Sequence, residues 1–450
     1  MAWAYFGILI GIIIVWFVFL KRSVIEGMWV SFAVLMTISG QWVNLPRYLY
    51  EASADNIILT VVLFMFFSAL IAKTGVLEEC LDILTALVGR VSGGAGYAAI
   101  VATAFMGTLS GSITANVAAT GGITIPMMKR SGFSNEVSAS IAIAGSTVGC
   151  IIPPSAFIII SFGFLNSMFP DTYVFAEFWT YAYYLAAIYF AHRFLTVFYF
   201  VKKYKIKPMA KEDIPNLRES MKKGWKSALL PFIVFTPFWV NNTFGDTFVV
   251  ERLGGGATGF GSNLIIIAPS LAIMYVFLIA KDRSSTSIPA LLDTMKTCVK
   301  IVSPIVMLMV GGYAIAELFA DVGVMEAMMR DLERVQIPFW AVIIFMPIVL
   351  AFIGCFFDGL AVLTLLGPVV LTLTTSVGIS PWLAASMLPA IIHAMCHLTP
   401  PYAPGIMIAS NLAKSKFLVT CKYMVIWIAG HYLVSLLIFF RIIPIIGGHW

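Results

Sequence analysis

Ten apolar runs follow one another along this chain, near 2–20, 27–43, 54–72, 134–165, 173–201, 227–243, 262–280, 299–319, 379–413 and 423–440. An α-helix rises about 1.5 Å per residue, so about 20 such residues reach across the hydrocarbon core of a bilayer. In lipid a segment must satisfy its own backbone N–H and C=O groups, and runs of this length do so as helices. Charge supports the same reading, because only 11% of the residues are Asp, Glu, Lys or Arg while 60% are hydrophobic. A soluble domain carries about 25% charged residues. The polar side chains present cannot cover a water-facing surface. A soluble enzyme, a nucleic-acid-binding module and a disordered scaffold are thereby excluded.

Residues 2–20 have no positive charge before them and no small-residue cleavage site, and Lys21-Arg22 follow them. They read as a first spanning helix and not as a signal peptide. The cysteines (Cys80, Cys150, Cys298, Cys355, Cys396 and Cys421) show no CxxC pair or disulfide spacing and read as small core residues. Between Lys202 and Lys226 nine basic residues stand against three acidic ones, which equals the chain's whole net charge of +6. A basic stretch of this kind in a membrane protein reads as a cytoplasmic loop, with anionic lipid as a surface for it to lie on.

Two further apolar regions, 95–128 and 337–375, are interrupted near their middles by Gly and polar residues. If both are re-entrant hairpins, 22 Lys and Arg fall on one side of the membrane, five on the other, and Arg193 lies within a span. A plain crossing at either region would move every later loop to the other side and remove that asymmetry. The hairpin arrangement therefore satisfies the positive-inside rule and puts both termini outside.

An internal repeat points the same way. Pro153-Pro154 lies 78 residues after Gly75, and Pro400-Pro401 lies 77 after Gly323. Gly107 and Gly354 each precede their Pro pair by 46 residues, and Gly132 and Gly378 precede it by 21 and 22. Each unit reads as span, hairpin, Pro-broken span, span. The first hairpin ends in Lys129-Arg130, the second in the uncharged stretch 374–380, so the units face opposite ways. The expected fold is an all-α polytopic membrane protein of two inverted repeats, the layout of secondary transporters. Its parts are N-terminal scaffold helices (1–53), a first repeat (54–201; hairpin 95–128, broken helix 134–165), and the basic loop (202–226). Connecting helices (227–298) and a second repeat (299–441; hairpin 337–375, broken helix 379–413) complete it.

The chemistry gathers at the breaks. The first hairpin turns within Gly107-Thr-Leu-Ser110-Gly111-Ser112-Ile-Thr114-Ala-Asn116, and the broken helix of the same unit carries Ser146-Thr147-Val148-Gly149 before Pro153-Pro154. Proline has no N–H, so carbonyls one turn earlier lose their partners. Bare carbonyls beside hydroxyls suit a hard cation such as Na⁺, and neighbouring helix N-termini suit an anion. The second unit offers Gly354, Asp358 and Gly359, then His397, Thr399, Pro400 and Pro401. Asp358 is an ionisable group deep in an apolar run and is a functional candidate on that ground. His393 and His397 stand four apart but have no further ligand cluster beside them, which favours a structural or gating role over metal. A membrane redox subunit built on that pair is the remote alternative. Nothing resembles a Ser-His-Asp or phosphate-loop arrangement, so no enzyme and no cofactor are expected.

The series Ser110-Gly111-Ser112…Asn116…Ile125-Pro126-Met127-Met128-Lys129-Arg130-Ser131-Gly132-Phe133, then Ser146-Thr147…Ile152-Pro153-Pro154, resembles the large membrane subunit of TRAP (tripartite ATP-independent periplasmic) transporters. Gly354…Asp358…Pro368…Gly378 and Leu398-Thr399-Pro400-Pro401 resemble that family's second half. The resemblance covers about 54–441; Val148 before Gly149, and His397, depart from its usual pattern. It implies Na⁺-driven uptake of a carboxylate or sulfonate through the bacterial inner membrane by an elevator movement. It also implies an extracytoplasmic substrate-binding protein and a separate small four-helix membrane subunit. On this reading Ser110, Gly111, Ser112, Asn116, Thr147 and Gly149 hold one Na⁺, and Gly354, Asp358 and Thr399 hold another. Ser112, Thr114, Pro153, Pro154, Pro400 and Pro401 flank the organic anion. A binding-protein-independent dicarboxylate or ion antiporter of similar build is the alternative.

Overall fold

The computed structural model describes residues 2–444 apart from 55, 111–112, 154, 170–171, 281–282, 336, 355–358 and 401–403. Among the described residues all regular structure is helical. The chain opens with α1 (Ala2–Ile14), a π-turn, α2 (Val24–Ser39) and α3 (Leu45–Ala54). A first series follows as α4 (Asn56–Thr74), α5 (Val76–Val88), α6 (Gly94–Ser110), α7 (Ile113–Arg130), α8 (Asn135–Gly149), α9 (Ala156–Met168) and α10 (Phe175–Tyr204). The connecting part holds α11 (Leu217–Ala228), α12 (Leu230–Phe244), α13 (Val250–Leu253) and α14 (Ala257–Ile279). A second series is α15 (Ile288–Asp321), α16 (Val324–Val335), α17 (Phe339–Gly354), α18 (Gly359–Ser376), α19 (Pro381–Leu388) with a π-turn over Pro389–Ala394, α20 (Met395–Leu398), α21 (Pro404–Ala413) and α22 (Phe417–Phe439).

The two series share local devices. Gly75 (φ 73°) and Gly323 (φ 68°) end α4 and α15 in the left-handed region, which only glycine enters without strain. Gly132 (φ 95°) and Gly378 (φ 90°) do the same after the hairpins. Two residues later Ser134 and Ser380 cap α8 and α19, each accepting a hydrogen bond from the backbone N–H three residues on (3.2 and 3.4 Å).

Contacts at the helix ends show how the series lie. At one end Lys129 Nζ donates to Ala413 O (3.0 Å), Asn135 Nδ2 donates to Lys414 O (3.2 Å), and Tyr204 donates to Tyr423 (3.1 Å). Arg130 meets Asp213 there at 3.4 Å. The start of α19 lies elsewhere, with Trp382 against Tyr173 (5.0 Å) and Phe178 (5.8 Å) at the start of α10. Thirty residues of helix, roughly 45 Å, separate that start from Tyr204. The broken helices α8–α9 and α19–α21 thus enter from opposite ends of the molecule. Each passes its second half to the other series: α9 packs on α18 and α19, and α21 packs on α7 and α8.

Single helices long and apolar enough to cross a bilayer are fewer than ten. Five qualify among the described residues (Glu177–Tyr204, Val302–Asp321, Gly359–Ser376, Pro381–Leu398 and Phe417–Phe439), and a bent pair over 42–71 makes a sixth. The expected run 134–165 divides between Gly149 and Ala156, and 379–413 divides before Pro404. Prolines at 153 and 400 remove the donors that would carry each helix through. The basic stretch is also more ordered than a loop, since α11 packs along α5 with Ser227 Oγ donating to Glu79 Oε2 (2.6 Å). Neither α5 nor α16 was expected from the apolar runs. Where α4 ends and α15 begins, Lys73 donates to Asp293 (2.7 Å) and holds that carboxyl below its usual range.

Candidate functional site

Glycine sets how closely the first hairpin approaches the first break. A Cβ on Gly149 would stand 2.6 Å from the Cα of Gly107 and 2.5 Å from Ala104 O. One on Gly107 would stand 2.8 Å from Ser146 O. The backbones of α6 and α8 therefore touch, as small residues permit in membrane helix pairs. Asn116 of α7 is buried beside this contact, its Nδ2 donating to Thr103 O (2.7 Å) and its Oδ1 accepting from Thr120 Oγ1 (3.4 Å). Gly107 and Asn116, on either side of the hairpin's turn, thus reach the level of the break and pack there.

The break itself follows from proline chemistry. The helical partner of Gly149 O would be residue 153, which has no N–H; Ile152 N takes its place at 3.2 Å. Ser155 then starts α9 by accepting from Phe157 N (3.2 Å). Pro153 is buried, and it borders an apolar cavity of about 220 Å³ with Thr108, Ile152 and Tyr183. The Thr147 hydroxyl is engaged twice, donating to Ala144 O (2.9 Å) and accepting from Arg193 Nη2 (3.4 Å).

The second unit repeats the arrangement with different side chains. A Cβ on Gly354 would stand 2.5 Å from the Cα of Cys396, and one on Gly359 would stand 2.7 Å from His393 Nδ1. His393 and His397 are both buried, their ring centroids 4.7 Å apart, and His393 stacks on Phe157 of α9 at 3.6 Å. Thr399 closes α20 in an extended conformation (φ −91°, ψ 117°), its hydroxyl donating to Met395 O (2.7 Å). Among the described residues no three His, Cys, Asp or Glu side chains gather as a metal site.

The units meet beside these breaks. Gly405, at the start of α21, faces Ile113 at the start of α7, and α8 touches both the 389–394 π-turn and α20. Of the residues singled out in the sequence, Asn116, Thr147, Gly149, Pro153, Gly354 and Thr399 lie at or beside this junction, as does half-buried Thr114. The side chain of Ser110, and Gly111, Ser112, Pro154, Asp358 and Pro401, lie outside the described residues.

One group was overlooked as a functional candidate. Arg193 of α10 is fully buried. Its Nε donates to Ala144 O (3.1 Å), Nη1 to His192 Nδ1 (3.0 Å), and Nη2 to His431 Nδ1 (3.0 Å) as well as to Thr147. Trp427 lies under the guanidinium at 5.6 Å. Its signal was the same one that picked out Asp358, an ionisable residue inside an apolar run.

The sequence matches the family "Tripartite ATP-independent periplasmic transporter, DctM component" over residues 1–445. The chain belongs to this TRAP transporter family. It is 23% identical to the C4-dicarboxylate TRAP transporter large permease protein DctM of Pseudomonas aeruginosa, over 90% of this chain and 87% of that one. It is 21% identical to the sialic acid TRAP transporter large permease protein SiaM of Vibrio cholerae, over 86% and 85%. Against the isethionate TRAP transporter permease protein DctMQ of Oleidesulfovibrio alaskensis it is 23% identical over 80% of its length and 53% of the relative's. Its fold is similar to that of MtrF from Neisseria gonorrhoeae, with a TM-score of 0.64 at 14% identity over 90% of this chain and 85% of that one. It is also similar to the YdaH transporter of Alcanivorax borkumensis, with a TM-score of 0.59 at 15% identity over 88% of each. This TRAP permease subunit is a multi-pass membrane protein.

Proposed function

We propose that this TRAP permease is a Na⁺-coupled importer of a small organic anion, a carboxylate or sulfonate. The observation that carries the reading is the meeting of a glycine-packed hairpin and a proline-broken helix at one level in both units. Ser110, Gly111, Ser112, Asn116, Thr147 and Gly149 surround one cation. With the Thr147 hydroxyl taken by Arg193, that residue's part falls to its carbonyl. Gly354, Asp358 and Thr399 surround the other. The anion lies among Ser112, Thr114, Pro153, Pro154, Pro400 and Pro401. Bound Na⁺ offsets its charge, and each net charge moved inward gains about 2.3 kcal/mol per 100 mV.

The side bearing Lys129 and Arg130 is cytoplasmic, the membrane is the bacterial inner membrane, and the hairpins with α8, α9 and α19–α21 move as an elevator against the other helices. An apolar cavity of about 200 Å³ supports that division, with Phe6, Met28 and Ile315 on one wall and Phe164, Pro368 and Val369 on the other. A small membrane subunit and an extracytoplasmic binding protein complete the system.

The test is uptake in proteoliposomes holding the complex, with succinate, isethionate and sialic acid as probes. An inward Na⁺ gradient is expected to drive uptake of one of them, and an inside-negative potential to accelerate it. Uptake driven by a pH gradient and indifferent to Na⁺ would overturn the assignment, and uptake without the binding protein would point to an antiporter of similar build.

A further inference from the structure

Arg193 borders the first proposed cation site through the Thr147 hydroxyl, and His431 behind it belongs to neither cation site nor to the anion path. His431, on α22, is fully buried; its Nδ1 faces Arg193 and its Nε2 lies 3.0 Å from Ala390 O. A guanidinium has donors only, so Nδ1 accepts, the ring is neutral, and Nε2–H donates to Ala390 O. His192 is fixed in the same way on the other side of Arg193. The ring of His431 is further held by stacking on Tyr189 (centroids 4.5 Å apart), whose hydroxyl lies 2.7 Å from Ser435 Oγ. Among the described residues no carboxylate pairs with Arg193; its acceptors are a carbonyl, a hydroxyl and two imidazoles. Burying such a charge is costly, and here it is met by an arranged set of neutral acceptors.

The atoms at the two ends of this chain correspond. Ala144 and Ala390 are 246 residues apart, the same step that separates Gly132 from Gly378 and Ser134 from Ser380. Ala144 lies five residues before Gly149 in α8, and Ala390 lies in the π-turn that precedes Cys396, the residue against Gly354. Pro389, lacking an N–H, opens the helix there and loosens its carbonyl ladder. The path Ala144 O, Arg193, His431, Ala390 O therefore joins main-chain positions that lie equally far, ten residues, from the caps Ser134 and Ser380; the π-turn then sets Ala390 one residue further from its break than Ala144 is from its own.

We infer that Arg193 and His431 are positioning residues that couple the two breaks, so that a cation bound at one is felt at the other. This rests on the Na⁺ reading above. Coupling between sites has a typical size of about 5- to 150-fold in affinity.

The test titrates NaCl against choline chloride at constant ionic strength on the purified full-length chain, following hydrogen exchange at 143–150 and 390–397. In the wild type both segments are expected to gain protection at one shared midpoint. In His431→Phe, which keeps the ring on Tyr189 but loses both hydrogen bonds, the midpoints are expected to separate by about tenfold. His431→Gln, which retains an acceptor and a donor, is expected to restore the shared midpoint. Arg193→Lys, which keeps the charge but not the fork, is expected to behave as His431→Phe does. Separate midpoints in the wild type, or a shared one in His431→Phe, would overturn the coupling alone. No response to Na⁺ at either segment of the wild type would remove the cation reading and the coupling with it. The wild-type comparison needs no variant, so a misfolded His431→Phe leaves the test standing.

Discussion

Gly149→Val is expected to leave little folded protein, and Gly149→Ala to lose at least about 3 kcal/mol of stability together with uptake. The atoms that a Cβ would meet are Gly107 Cα and Ala104 O, both backbone, at 2.6 and 2.5 Å. A flexible side chain could swing aside; a helix backbone has to move as a whole. Separating α6 from α8 would also lift the end of α6 away from the break, so activity falls with stability. Gly354→Ala meets the Cα of Cys396 at 2.5 Å and is expected to behave likewise. Gly122→Ala has nothing within 4 Å and serves as the control. Melting temperature and Na⁺-driven uptake check this series. A Gly149→Ala protein that melts and transports as the wild type does would show that α6 and α8 are not in contact.

Asn116→Leu is expected to weaken the response to Na⁺ by about ten- to hundredfold. The buried amide bridges α7 to Thr103 O in α6 at 2.7 Å, and the same Nδ2 lies against Gly107 at the glycine notch. Losing such a group costs about 1–3 kcal/mol, and 1.4 kcal/mol corresponds to a factor of ten. Thr120→Val makes the contrast. That hydroxyl donates mainly to Asn116 O within its own helix (2.8 Å) and only at 3.4 Å to Asn116 Oδ1, so its loss leaves the Asn116 bond to Thr103 O in place and shifts little. Half-saturation by Na⁺ in reconstituted uptake separates the two variants. Equal effects from both would mean that Asn116 is ordinary helix packing.

The glycine and proline spacings were legible because each answers a local backbone demand. Gly132 and Gly378 need positive φ, and Pro153 and Pro400 remove donors wherever they stand. Those constraints travel with the residue, so they could be counted along the chain before any packing was known. The amphipathic α5 and α16 escaped a search for long apolar runs, because their apolar residues recur with helical period between charges such as Glu78, Glu79 and Arg334. The exchange of α9 and α21 between the series depends on tertiary contacts that no spacing encodes. Arg193 was visible as a charge within a span. Its meaning was not, since His431 lies 238 positions away and Ala144 on a third helix.

Sided labelling tests the opposed orientation of the two series most directly. Single cysteines introduced as Lys129→Cys and Ser376→Cys, in a chain cleared of its native thiols, would be exposed to a membrane-impermeant maleimide in right-side-out and inverted vesicles. Position 129 is expected to react only in inverted vesicles and position 376 only in right-side-out ones. Reaction of both from the same side would contradict the inverted pair of units and the ion sites built upon it.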